Sequence, residues 1–222
     1  MIGRGNGGGA RLMGAGPTLL LLGDFAGDPG DWMAVVHRLS RDFTVVTCGR
    51  WAAPHPDGWP ATSVAQRADQ AADLLRAHHL APAVVVGHGA GGCIACELVA
   101  HHPGLIWLAV VFESLWLAAI EAVPVVDTDL ADLRAWVPDV DRLRASGVPV
   151  TVVLADESRD GPSDATGAWL AAATGARRLY LPGGPAGLLT RPDKYVALIR
   201  DIAHDSCREL HWERSVESGG TP

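Results

Sequence analysis

Six short runs of aliphatic and β-branched residues recur along the chain: Thr18 to Leu22, Phe43 to Thr47, Ala83 to Gly87, Leu105 to Phe112, Val148 to Leu154 and Ala176 to Leu181. They are largely apolar instead of alternating with polar residues, the pattern of parallel strands covered on both faces. The stretches between them have helical spacing. Asp31 to Arg41 repeats apolar residues at Trp32, Val35, Val36 and Leu39, and Thr62 to His79 repeats them at Val64, Ala68, Ala71, Ala72 and Leu75. Thr62 or Ser63 is an N-cap for the second of these. Ala90 to His102 stops before Pro103, and Pro192 opens the last helix, where proline is tolerated in the first turn. Strand and helix alternate, which predicts an α/β domain with a mostly parallel sheet and helices on both faces. Its ligand site is expected beyond the carboxyl ends of the strands.

The rhythm is missing in three places. Residues 1–16 hold seven glycines and no apolar period, and residues 205–222 are polar, so both are expected as tails that cannot offset their ordering entropy by burial. Residues 114–147 carry Trp116, Trp136 and several carboxylates without a strand pattern, and are expected as a small lid on a single domain spanning 17–204.

Composition narrows the partners. The 222 residues carry a net charge of −7, which argues against a nucleic-acid or anionic-membrane partner, since both demand basic patches. The longest apolar run, Leu105 to Phe112, is far short of the roughly 18 to 20 residues that span a bilayer. The start of the chain has no apolar core of a secretory signal, so the expected location is cytoplasmic and the four cysteines are expected as free thiols. No His, Cys, Asp and Glu grouping has metal-ligand spacing, and no cofactor is expected. Gly3-x-Gly5-x-x-Gly8 matches a dinucleotide fingerprint in letters only, because no strand precedes it.

The chemistry concentrates in Val84-Val85-Val86-Gly87-His88-Gly89-Ala90-Gly91-Gly92, a buried strand running through small residues into a helix. Such a sharp turn excludes side chains at its flanks and aims its central residue into the site. The stretch resembles the nucleophile elbow of the α/β-hydrolase superfamily, and the resemblance covers most of residues 17–203. In that superfamily the centre is serine, cysteine or aspartate; here it is Gly89, which has no side chain. The segment Leu21-Leu22-Gly23-Asp24-Phe25-Ala26-Gly27 is similar to the superfamily's loop after its first central strand, with Gly23 and Asp24 departing from the usual His-Gly. By that resemblance the amides of Phe25 and Ala90 are oxyanion-hole donors. The acid is implied in the turn Ala155-Asp156-Glu157-Ser158. The histidine is implied in the loop Leu181 to Leu188, where Pro185 stands about at its position. A Ser-His-Asp relay is therefore missing at two of three positions, since glycine cannot attack and proline cannot take a proton.

What remains possible is an attack by a nucleophile that a substrate brings. Glu113 and Asp156, both at carboxyl ends of strands, are candidate bases for an incoming thiol or amine, and His88 is a third. Cys48 lies at the end of the second strand, within reach of the pocket as an acyl-accepting thiol or, alternatively, as a core thiol. Eight tryptophans stand against five Phe plus Tyr. Trp51, Trp59, Trp116 and Trp136 are expected near the mouth, where their faces suit a flat acyl group, Asp24 and Gly89 completing the substrate contacts. Cys93-Ile94-Ala95-Cys96 has the spacing of a redox pair but lies past the elbow, where packed core thiols are expected. Glu97 and His101 are expected as a surface pair. The resulting expectation is an acyltransferase that passes an aromatic acyl group from an acyl carrier protein to a small-molecule or peptide acceptor. Gly89 and the chain's size are also similar to the indolyl-transferring acyltransferases of nosiheptide-type thiopeptide biosynthesis. A non-catalytic ligand- or partner-binding relative and a cofactor-free lyase or isomerase are the alternatives, and a homodimer is left open.

Overall fold

The computed structural model describes residues 11–23, 32–47, 63–114 and 135–217, with the side chains of residues 189 and 207–217 left aside. Most of the expected lid, and with it Trp116, lies outside the described residues, as do Asp24, Phe25, Cys48, Trp51 and Trp59.

Among the described residues, seven strands form one sheet: β1 (Arg11–Met13), β2 (Thr18–Leu22), β3 (Thr44–Thr47), β4 (Ala83–His88), β5 (Ile106–Phe112), β6 (Val150–Ala155) and β7 (Arg177–Leu181). Their spatial order is β1-β3-β2-β4-β5-β6-β7, with every neighbouring pair parallel except β1 with β3. The helices are α1 (Met33–Leu39), α2 (Val64–Ala77), α3 (Ala90–His101), α4 (Val140–Ala145), α5 (Pro162–Thr174), α6 (Gly187–Thr190) and α7 (Pro192–Glu217). Ser63 caps α2 with a complete capping box, its hydroxyl accepting from the Gln66 amide at 3.1 Å while the Gln66 side chain accepts from the Ser63 amide at 2.9 Å.

Alternate residues of the strands feed two cores. Leu20, Leu22, Val85, Val111, Val152 and Leu154 face α2, α3, α4 and α5. Leu19, Leu21, Val84, Val86, Val110 and Phe112 face α1 and α7. The central strands are buried on both sides, which is why their sequences do not alternate. The chain steps one way from β2 to β3 and the other way from β4 to β5. The carboxyl ends of β2 and β4 therefore bound a topological switch point, where a crevice opens in sheets of this kind.

Both expected tails need correction. Residues 11–13 pair antiparallel with β3, and Gly14 and Gly16, at φ of 92° and 126°, turn the chain tightly against the backbone of Ser40, Asp42 and Phe43. The glycines that looked like disorder thus include two that a close approach requires. At the other end α7 continues to Glu217, so the polar residues 205–217 are helical.

At the switch point two glycines let elements touch through their backbones, and a third makes room for a buried side chain. A Cβ on Gly91 would overlap the carbonyl of Leu22, one on Gly87 would lie 2.5 Å from the Gly91 carbonyl oxygen, and one on Gly92 would overlap the Ser114 side chain. Gly91→Ala is therefore expected to cost about 3 kcal/mol of stability in equilibrium urea unfolding. Gly104→Ala, where a Cβ meets nothing within 4 Å, should stay within about 0.5 kcal/mol of the parent.

Candidate functional site

The turn between β4 and α3 has the sharp geometry its sequence implies. Gly89 sits at φ 56° and ψ −123°, a backbone conformation that residues with a side chain reach only under strain. Its N–H donates to the Phe112 carbonyl at 2.9 Å. Its carbonyl accepts twice, from the Gly92 N–H at 3.0 Å and from the Ser114 hydroxyl at 2.9 Å. Ser114 is buried, and its own carbonyl accepts from Thr166 Oγ1 at 3.0 Å. The Gly89 carbonyl and the Ala90 N–H belong to one planar trans peptide and point in opposite directions. Two donors on the carbonyl therefore fix the heading of the Ala90 amide, which points back out of the amino end of α3, where the helix dipole favours negative charge.

His88 packs beside this peptide. Its Nε2 lies 3.3 Å from the Pro185 carbonyl, and because a carbonyl only accepts, Nε2 carries the hydrogen. The ring stands edge-on to Trp32 at 6.1 Å and 82°. Trp32 in turn explains Gly23, where a Cβ would lie 2.7 Å from the indole Nε1. The space of a side chain at position 23 is filled by that tryptophan. The loop after β7 is thus held against the elbow through Pro185, His88 and Trp32.

The two expected carboxylate bases are both engaged. Glu113 follows β5 at φ 46° and is buried; one carboxylate oxygen accepts from the Ala155 amide, the other from Ser158 Oγ at 2.9 Å. It ties the end of β6 to the end of β5. Asp156 accepts from Arg159 Nε at 3.0 Å and Nη2 at 2.8 Å. Arg159 lies over the Tyr180 ring, 3.6 Å from its centroid, and the Tyr180 hydroxyl donates to Asp164. That hydroxyl holds the Asp164 carboxyl below its ordinary value. Asp156 therefore belongs to a surface network joining β6, α5 and β7.

The carboxylate that meets the loop is Glu157, which the sequence reading did not single out. Its amide donates to the Gly183 carbonyl at 3.1 Å, and a Cβ on Gly184 would sit 2.8 Å from its Oε2. Nothing in the sequence distinguishes Glu157 from Asp156. The single 3-10 turn Asp156–Ser158 decides which acid faces which side.

Tyr195 is a further residue the sequence did not flag. It is 2% exposed, its ring lies 5.4 Å from that of Phe112, and its hydroxyl tucks under Gly187 without a hydrogen-bond partner among the described residues. Burial, and next the Glu113 carboxylate, push its pKa above the ordinary tyrosine value.

The remaining expectations separate cleanly. The Trp136 indole donates to Glu97 Oε2 at 2.9 Å, whose other oxygen lies 3.3 Å from His101 Nε2. Glu97 is seven residues along α3 from Ala90, about 10 Å at 1.5 Å per residue, so Trp136 is anchored away from the elbow and Glu97 is buried instead of exposed. Cys93 and Cys96 are buried free thiols, with burial and then the neighbouring Cys93 raising the pKa of Cys96. Thiolate chemistry is thereby suppressed there, in keeping with core packing. Among the described residues no group of three His, Cys, Asp or Glu could hold a metal, and no helix is long and apolar enough to cross a membrane.

No protein-family model matches the chain. It is 32% identical over 143 residues to a protein of Yersinia enterocolitica serotype O:8 / biotype 1B that carries carbamate hydrolase RutD as a provisional name, an alignment covering 62% of this chain and 47% of that one. The chain spans less than half the length of the curated relatives it matches. Among solved structures, Est816, described as an N-acyl homoserine lactone degrading enzyme, superposes with a TM-score of 0.72 at 21% identity, covering 86% of this chain and 95% of that one. E-2-(acetamidomethylene)succinate hydrolase superposes at 0.68 and 19% identity, covering 86% and 93%. The chain has the α/β-hydrolase fold.

The orphan hydroxyl of Tyr195 yields a signed expectation. A raised folded-state pKa gives stability that is complete below the ordinary tyrosine value and is lost as pH rises through the folded one. Tyr195→Phe should remove that alkaline loss, and at neutral pH it should raise stability by about 1 kcal/mol by deleting an unsatisfied buried group. Urea unfolding at pH 7 and pH 10.5 checks both.

Proposed function

We propose that this chain, with the α/β-hydrolase fold but glycine at the nucleophile position, is an acyltransferase that forms no covalent enzyme intermediate. It would move an aromatic acyl group from a carrier-protein thioester to an acceptor in natural-product biosynthesis. The observation that carries the reading is Gly89: an elbow backbone at φ 56° and ψ −123° that orients the Ala90 amide and offers no attacking atom.

In this reading the thioester carbonyl oxygen rests on the Ala90 N–H, with the Phe25 amide as the second donor. The acceptor's thiol or amine attacks the carbonyl carbon and gives up its proton. The tetrahedral oxyanion is held by the amides, the carbon–sulfur bond breaks, and the carrier thiolate leaves and takes up a proton. Each pre-organised donor contributes about 3 to 4 kcal/mol, and holding donor and acceptor together supplies several more. Glu113 and Asp156, as candidate bases, are engaged by Ala155, Ser158 and Arg159. We therefore assign proton acceptance to Glu157, whose carboxylate borders the Gly184 backbone.

Water can replace the acceptor in the same geometry, and that is the second reading. It is favoured by the names of the similar proteins, a provisional carbamate hydrolase and a succinate-derivative hydrolase.

The test is a product assay with carrier-borne aromatic thioesters and thiol or amine acceptors. Acyl transfer should exceed hydrolysis, and activated esters should be hydrolysed near background. Gly89→Val, which forces a β-branched residue onto a positive φ, should lower turnover at least about 100-fold. Glu157→Gln should lower it about 10- to 100-fold. Dominant hydrolysis would transfer the assignment to the second reading, and absence of turnover with every thioester would refute both.

A further inference from the structure

A cleft of about 650 Å³ opens at the opposite end of the sheet from the elbow. It lies where β6 and β7 begin, between the end of α4 and α7, and its lining includes Leu108, Val150, Thr151, Arg177, Ile202 and Ser206. From the elbow it is separated by the length of a strand, about 20 Å for six residues. Its volume falls within the roughly 300 to 1,000 Å³ of small-molecule sites. The acyl-transfer reading makes no use of it.

Two of its walls carry hydroxyl groups: Thr151, 5% exposed, and Ser206, 9% exposed, both line the cleft. A hydroxyl at a cleft wall can donate to a carboxylate. Arg177, the first residue of β7, is exposed at the rim, and its side chain forms no ion pair or hydrogen bond among the described residues. A second guanidinium, Arg144, is held there by the Ala173 carbonyl, and Asp205 is the one carboxylate in the lining. Among the described residues, two positive charges against one negative give the rim a net preference for anions. Leu108, Val150 and Ile202 supply an apolar wall.

We propose that this cleft is a second binding site, for a small organic carboxylate with an apolar body. The carboxylate is recognised by Arg177 and the Thr151 and Ser206 hydroxyls, and the body lies on the Leu108, Val150 and Ile202 wall. The proposal is independent of the chemistry at the elbow.

Calorimetric titration of the full chain with benzoate, octanoate and indole-2-carboxylate, each against its primary amide, tests it. At least one carboxylate should bind, and its amide should bind at least about 10-fold more weakly, the loss expected when a charge-assisted bond is removed. Arg177→Gln should weaken binding about 10-fold or more, and the isosteric Thr151→Val about fivefold. Asp205→Asn should tighten it about two- to fivefold by removing a like charge. Gly89→Val should leave it unchanged, so failure of this site and failure of the acyl-transfer reading are separately visible. The proposal is overturned if no carboxylate binds at about 5 mM, if the amides bind equally, if Arg177→Gln has no effect while melting as the parent does, or if Asp205→Asn weakens binding. Arg177 is at the surface, so its variant keeps the test open even if Thr151→Val disturbs the fold.

Discussion

One peptide group governs the site: the one between Gly89 and Ala90. Its carbonyl is held by the Gly92 amide and the Ser114 hydroxyl, and its N–H is thereby aimed out of the amino end of α3. The arrangement stands only because Gly87 and Gly91 let β4, α3 and the end of β2 meet without side chains between them, while Gly92 leaves room for the Ser114 side chain. The heading of the Ala90 amide is set by the backbone and by Ser114, and does not depend on a side chain at position 89. Removing the Cβ at position 89 also relieves the strain that a nucleophile would impose at φ 56°. The turn is cheaper to form here than in a protein that keeps an attacking residue.

Around that peptide, groups that could have served proton transfer are committed to holding the loops. His88 gives its Nε2 hydrogen to the Pro185 carbonyl, and Glu113 spends both oxygens on the turn after β6. Trp32 fills the space that Gly23 leaves and meets His88 edge-on. The departures from the hydrolase pattern at positions 23, 89 and 185 are thus neighbours in space, linked through Trp32 and His88.

The parallel strands were legible because burial on both faces leaves no polar alternation, and the elbow because close contact admits no side chain at Gly87, Gly91 and Gly92. Edge strand β1 was not, since Arg11-Leu12-Met13 shows no period and is ordered only by pairing with β3. Helix α5 escaped because Pro162–Thr174 is rich in alanine, glycine and serine or threonine and has little contrast between its faces. The carboxylates at the strand ends were legible as types but not as partners. Whether Asp156 or Glu157 meets the loop depends on a 3-10 turn, and whether Glu113 is a base or a brace depends on a positive φ that no pattern announces. Trp136 was legible as an anchor for an aromatic face, yet its indole N–H belongs to Glu97.

The central claim is that the attacking atom comes from what is bound. Intact-protein mass spectrometry during incubation with an aromatic acyl thioester, quenched in acid at early times, tests it most directly. The account predicts a protein of unchanged mass at every time point while transferred product accumulates. An acyl adduct that forms and decays at the rate of turnover, on any side chain of the protein, would contradict it.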